Sequence, residues 1–257
     1  MSLGFKAPAA VLDELGVTTS ADILIEAIAE YCGATILYEP LDGCEARILG
    51  SGDRAFITVN ANAPRGRQRF SAGHELGHWM RDRGKIAFSC TDANLVRDWG
   101  DDNPERRANR YATDLLLPRK LFEASAKGMS PLFESVRHLA SEFEMSLTAT
   151  AIRLVELGDA PSMIICNAVD GRRWFFRSCT VPLWPVARPG SSTHAAKLLA
   201  GATSRPVGPL SVDADEWVDH PGASKYAVVE DSLVSGGLVL TLLWWKDESQ
   251  ILDLDDD

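Results

Sequence analysis

Apolar positions recur along the chain first at helical spacing, then in short alternating runs. Between Ser20 and Gly33 they fall at Leu24, Ala27, Ile28 and Tyr31, which predicts one helix capped by Ser20 and stopped by Gly33. Three strand-like runs follow, "ATILYEP", "EARILG" and "RAFITVN", separated by Gly and Asp turn signals. Residues 64–82 read as a helix with Pro64 in its first turn. After a Gly- and Asp-bearing loop over 84–103, "PERRANRYATDLLLP" reads as a second helix, opened by Pro104 and closed at Pro118. Three shorter helices are predicted next. "RKLFEASA" ends at Gly128, "SPLFESVRHLASEF" has a Ser130 cap and Pro131 in its first position, and "SLTATAIRLVELG" runs from Ser146 to Gly158.

From about residue 161 the texture changes. The runs "SMIICNAV", "RWFFRS", "KYAVVEDS" and "GGLVLTLLWW" alternate with Pro/Gly turns, "STHAAKLLAG" (192–201) reads as a helix, and five of the seven tryptophans lie here. The break at "GDAPS", residues 158–162, divides the chain into 1–127, a helical segment 128–160, and an α/β domain 161–257. His194 and His220 are expected at the surface. Trp174, Phe175, Phe176, Trp244 and Trp245 are expected in the core.

Composition narrows the class. A chain of 257 residues that is 46% hydrophobic and 24% charged can bury a sizeable core. The N-terminus has no basic n-region followed by an apolar run, so no signal peptide is expected. The longest apolar stretch, residues 236–245, is too short to span a bilayer. The five cysteines are scattered without a C-x-x-C pair, which points to reduced thiols and a cytoplasmic protein. The net charge of −10 disfavours general nucleic-acid binding, and the acidic end "LDLDDD" reads as a frayed tail.

The chemistry concentrates in "FSAGHELGHWMRDR", residues 70–83. Spacing i, i+4 places His74 and His78 on one helix face, one turn apart, where both imidazoles reach a single ion. Glu75 projects beside the open coordination position and is placed to take a proton from a water held there. A catalytic zinc needs a third protein ligand, and Glu105 at the start of the next helix supplies a candidate. Asn109 lies at i+4 from Glu105, where it would accept a hydrogen bond from the far nitrogen of one histidine as its outer partner. Ala108 and Ala112 let that face approach the histidine helix closely. Tyr111 and Arg110 point away from the Glu105 face by spacing and read as structural.

"FSAGHELGHW" followed by "ERRANRYATDLLLP" resembles the ImmA/IrrE-type zinc metallopeptidases, whose pattern is H-E-x-x-H and then E-x-x-A-N-x-[FY]-A-x-x-L-L-x-P. Every fixed position of that pattern is met, and the resemblance covers residues 20–157. It implies His74, His78 and Glu105 as zinc ligands, with another divalent ion such as manganese as the alternative, and Glu75 as the catalytic base. It also implies an α+β fold. A zincin-like core would occupy 1–127, helix-turn-helix-like helices 128–160, and a GAF-like sensor or interaction domain 161–257.

The rhythm of "VRHLASEFEMSLTATAIRL" is that of a helix-turn-helix, with Val136, Leu139 and Ala140 apolar and a turn at Glu144–Met145. Residues 130–159 carry Arg137 and Arg153 against five carboxylates, a net charge of −3, so phosphate contact is disfavoured. The base-reading candidates are Thr148, Thr150 and Arg153, and DNA binding through them is not expected. The resemblance suggests an endopeptidase that cleaves a helix-turn-helix repressor to switch on a stress or mobile-element response. The alternative is a non-cleaving transcriptional regulator that binds DNA or a repressor.

Overall fold

The computed structural model describes residues 5–82, 88–90, 103–202 and 208–251. Most of the loop expected over 84–103 and the acidic tail 252–257 lie outside the described residues. The chain forms two compact units. One comprises residues 1–122 with 140–146, and the other 123–139 with 147–257.

In the first unit, helix α1 (Pro8–Glu14) precedes a 3-10 turn over Ser20–Asp22 and helix α2 (Ile25–Tyr31). The helix predicted from Ser20 is thus broken. The Asp22 carboxylate accepts the N–H groups of Thr18 and Thr19 at 3.0 and 2.8 Å, closing a capping box on Thr19. Ile23 then leaves helical geometry at ψ 74°. The buried stripe shifts accordingly. Ile25, Ile28 and Ala29 face the core, whereas Leu24 is 55% exposed. Helix α1 has only Val11 and Leu12 buried, too few positions to show a period in the sequence.

Strands β1 (Ala34–Glu39), β2 (Ala46–Ser51), β3 (Arg54–Asn60) and β4 (Phe88–Cys90) form a sheet of order β1-β3-β2-β4. The β1–β3 pair is parallel and the others antiparallel. Ala46, Ile48, Ala55, Ile57 and Val59 alternate onto the buried face. Helix α3 (Arg65–Asp82) packs against this sheet, and every residue from Ser71 to Met80 is buried. Trp79 fixes its height, donating Nε1–H to Cys32 O at 2.9 Å. A Cβ added at Gly50 would lie 2.9 Å from the Trp79 ring, so only glycine lets the indole seat there.

Helices α4 (Pro104–Leu116), α5 (Arg119–Ala126), α6 (Phe133–Glu142) and α7 (Leu147–Leu157) follow. Helix α6 begins after the predicted Ser130 cap. The Phe133 N–H donates instead to Asp231 Oδ2 at 2.7 Å, so a distant carboxylate supplies the cap. Between α6 and α7, Glu144 has φ 52°, the left-handed turn that the sequence placed at Glu144–Met145.

In the second unit, β5 (Ser162–Ala168), β6 (Gly171–Arg177), β7 (Leu210–Asp213), β8 (Ala227–Ser235) and β9 (Leu238–Trp244) form an antiparallel sheet of order β6-β5-β9-β8-β7. Strand β5 is buried throughout, with α7 against it, and helix α8 (His194–Leu199) packs on β8 and β9. Two expectations are corrected here. His194 is buried, because the Glu230 carboxylate accepts the N–H groups of His194 and Ala195 at 3.2 and 2.7 Å and draws the start of α8 onto the sheet. Trp245 is core, as expected, but Trp174, Phe175 and Phe176 lie on the edge strand β6 and are only half-buried.

Candidate metal centre

The site is built where α3 and α4 meet. Asn103 caps α4, its side-chain oxygen accepting the Glu105 N–H at 2.8 Å, and Pro104 takes the first helical position. The sequence shows Pro104 as an opener. That Asn103 fixes the helix start, and with it the height of Glu105, emerges only from the structure.

Glycines on α3 set the distance between the two helices. A Cβ at Gly77 would lie 3.0 Å from Tyr111 Cβ and 3.1 Å from both Cα and O of Ala108. A Cβ at Gly73 would lie 3.3 Å from Ala112 Cβ. Two glycines four residues apart therefore face two alanines four residues apart, and the backbones approach closely.

At this spacing three side chains converge. His74 Nε2 lies 3.1 Å from His78 Nε2 and 3.1 Å from Glu105 Oε2, and His78 Nε2 lies 3.3 Å from Glu105 Oε1. Four-coordinate zinc with bonds of about 2.0–2.1 Å separates its ligand atoms by roughly 3.3–3.4 Å. The observed edges are close to that spacing, so the donor set could hold one divalent ion. Among the described residues it is the single group of three or more His, Cys, Asp or Glu side chains so placed.

Asn109 completes the geometry on the far side. His74 Nδ1 lies 2.8 Å from Asn109 Oδ1, so a proton on Nδ1 is donated to the amide oxygen and the Nε2 lone pair is left facing His78 and Glu105. The His74 and His78 side chains are 6% and 4% exposed, whereas the Glu105 side chain is 23% exposed, which gives the cluster a solvent side. Glu75 follows His74 directly and is fully buried. Tyr111 is buried beneath the Phe5 ring at a centroid distance of 6.5 Å, and exposed Arg110 pairs with Asp114 at 2.9 Å.

Residues 29–155 match the family described as the IrrE N-terminal-like domain, peptidase M78. The chain belongs to the ImmA/IrrE family. Membership implies a metallopeptidase, and the matched residues span both helices that carry the convergent donors. A solved Mycobacterium tuberculosis transcriptional regulator is similar in fold to this ImmA/IrrE protein, with a TM-score of 0.58 at 14% identity over 92% of this chain and 73% of that one. No curated protein sequence matches the chain. Among the described residues no helix is long and apolar enough to cross a membrane.

One structural contributor to the site was not legible in the sequence. Arg69, 3% exposed and one turn before Gly73, donates Nη2–H to Ile23 O at 3.0 Å and pairs with Glu144 at 3.4 Å. The Glu144 carboxylate also holds Arg65 at 3.5 Å. The turn before α7 is thereby fastened to the helix that carries the histidines.

Proposed function

We propose that this protein is a zinc-dependent endopeptidase that cleaves a protein regulator, a helix-turn-helix transcriptional repressor, and so switches on a stress or mobile-element response. The observation that carries the proposal is the spacing of His74, His78 and Glu105 at 3.1–3.3 Å with buried Glu75 beside them. In this reading His74, His78 and Glu105 hold zinc, with manganese as an alternative ion, and the ion supplies Lewis-acid polarisation of the scissile carbonyl and a more acidic water. Glu75 accepts the proton from the attacking water and passes it to the leaving amine. Asn109 keeps His74 in the tautomer whose Nε2 lone pair is free to bind.

The domain assignment belongs to the same proposal. Residues 1–127 form the zincin-like core and 128–160 the helix-turn-helix-like segment that carries α6 and α7. Residues 161–257 form a GAF-like sensor or interaction domain. Supporting that last assignment, the five strands of the second sheet are all antiparallel and run 2-1-5-4-3 in the domain's own order. The enzyme works in the cytoplasm, where transcription regulators are found.

A zinc domain of this size has few subsites, so selectivity must come from surface beyond the cleft that positions one partner. The scissile bond must also sit in an extended segment, since a helical peptide keeps its carbonyls within its own ladder. The test is incubation of the metal-loaded protein with candidate helix-turn-helix repressors, followed by mass spectrometry. One cut is expected in the repressor, abolished by chelator. Glu75→Gln should keep the metal and lower turnover at least about 100-fold, the scale of a general base. Unchanged turnover in that variant, or scattered cuts in casein at the same rate, would overturn the proposal.

A further inference from the structure

The edge strand of the second sheet carries a surface that the peptidase reading does not use. Residues 171–188, "GRRWFFRSCTVPLWPVAR", contain four arginines and no acidic residue in a chain of net charge −10. The aromatics expected in the core are half-buried here, and Trp184 is 61% exposed.

The side chains alternate cation and ring. Arg172 Cζ lies 5.0 Å over the Phe175 ring, Phe175 packs edge-on against Trp184 at 5.4 Å, and Arg177 Cζ lies 5.2 Å over Trp184. Both guanidiniums are held by carbonyl oxygens. Arg172 Nη1 donates to Pro185 O and, at 2.7 Å, to Val186 O, and Arg177 Nη1 donates to Val181 O. Carbonyls fix the geometry but neutralise no charge. Asp170 pairs with Arg173 at 2.8 Å. Asp219, whose N–H bonds Trp184 O at 3.2 Å, joins none of these ion pairs. Among the described residues, Arg172, Arg177 and Arg188 make no ion pair with a carboxylate.

We propose that this edge binds single-stranded nucleic acid, with phosphates on Arg172, Arg177 and Arg188 and a base stacked on Trp184. Cations spaced along a strand suit a polyanion, and an acidic peptide would satisfy that feature as well. The exposed indole and the ring packed beside it suit planar bases, which stack on aromatic faces with little regard to sequence. The overall negative charge does not forbid this, because screening at physiological salt confines each charge to about 8 Å. A rise of about 3.3 Å per residue separates Arg172 from Arg177 by roughly 17 Å, so the footprint is short and the binding modest.

The experiment is fluorescence anisotropy of a labelled twelve-residue oligothymidylate titrated with the full chain at several salt concentrations. Three phosphate contacts predict a slope of log K against log salt of about −2, so raising salt from 50 to 200 mM should weaken binding about 20-fold. Trp184→Ala, at a position 61% exposed, should weaken binding about tenfold, and Trp184→Phe should restore most of the loss. A duplex of equal length should bind less well. The proposal is overturned by absence of binding at 50 mM salt, or by a duplex that binds as tightly. It is overturned equally if polyglutamate displaces the oligonucleotide at matched charge while Trp184→Ala has no effect, the mark of a site for acidic peptides.

Discussion

Substitution of Gly77 by alanine tests whether helix contact sets the metal geometry. The new Cβ would meet Tyr111 Cβ at 3.0 Å and Ala108 Cα and O at 3.1 Å. Two of these atoms are backbone and cannot rotate away, and relaxed carbon contacts lie at about 3.5–4.0 Å, so α4 must withdraw by roughly 0.5 Å. Overpacking costs about 1–3 kcal/mol, while alanine improves helix propensity over glycine by about 0.8–1.0 kcal/mol. The expected net effect is a loss of roughly 0–2 kcal/mol, or up to roughly 8 °C in Tm. Metal binding should suffer more. Glu105 lies three residues from Ala108 and withdraws with it, and a shift of 0.5 Å exceeds the roughly 0.2 Å tolerance of a metal site. Competition against a zinc chelator should show affinity lowered at least about tenfold. Gly73→Ala is the control, since its nearest contact is the rotatable Leu116 Cδ1 at 3.2 Å and the fixed Ala112 Cβ and Cα lie farther off, at 3.3 and 3.4 Å, than the backbone atoms that Gly77 would meet. A Gly77→Ala protein with unchanged metal affinity and a raised Tm would refute the reasoning, as would a Gly73→Ala protein with the larger loss of metal.

Asn109→Ala removes the acceptor of the His74 Nδ1 proton and should lower metal affinity about 10- to 100-fold in the same competition assay, with far-UV circular dichroism unchanged. Asp231→Ala uncaps α6 and should cost about 1 kcal/mol in denaturant unfolding monitored by circular dichroism, and no loss would show that another group caps Phe133. Glu144→Ala keeps a side chain at φ 52° while deleting the carboxylate that faces buried Arg69. A loss of about 1–3 kcal/mol is expected in the same experiment, and Arg69→Met in that background should recover part of it.

The donors of the metal centre were legible because their information is local. His74, Glu75 and His78 share one helical turn, and Glu105 and Asn109 share another, so spacing alone puts each set on a face. The first three strands were legible for the same reason, each being a run of six or seven residues bounded by Gly or Asp turn signals. Most of what failed depends on partners distant in sequence. The Asp231 cap on α6 is 98 residues from Phe133, and the Glu230 bonds that bury His194 cross 35 and 36 residues. The aromatic run of β6 was misplaced because hydrophobicity does not reveal whether a strand is central or at an edge, and sheet order decides that. The break in the first helix was missed because Thr19 and Asp22 form their capping box inside an otherwise periodic stretch.

The helix-turn-helix rhythm shows how charge and burial bear on one question by separate routes. Charge alone disfavoured phosphate contact by residues 130–159, but a local excess of carboxylates says nothing about which side chains are accessible. Burial addresses that. Of the three base-reading candidates on α7, Thr150 is fully buried, and Arg153 is 1% exposed and pairs with Glu156 at 2.7 Å. As folded, α7 presents Thr148 alone. The preceding turn is fastened as well. A Cβ at Gly66 would lie 2.8 Å from the Met145 carbonyl carbon and 2.9 Å from Ser146 N, so the turn rests directly on the first turn of α3. A recognition helix needs its N-terminal residues free to enter a groove. Here the turn before α7 is held by the close approach of Met145 and Ser146 to Gly66 and by the Arg65–Glu144–Arg69 cluster. Residues 144–146, the turn itself, therefore rest on the helix that carries His74 and His78.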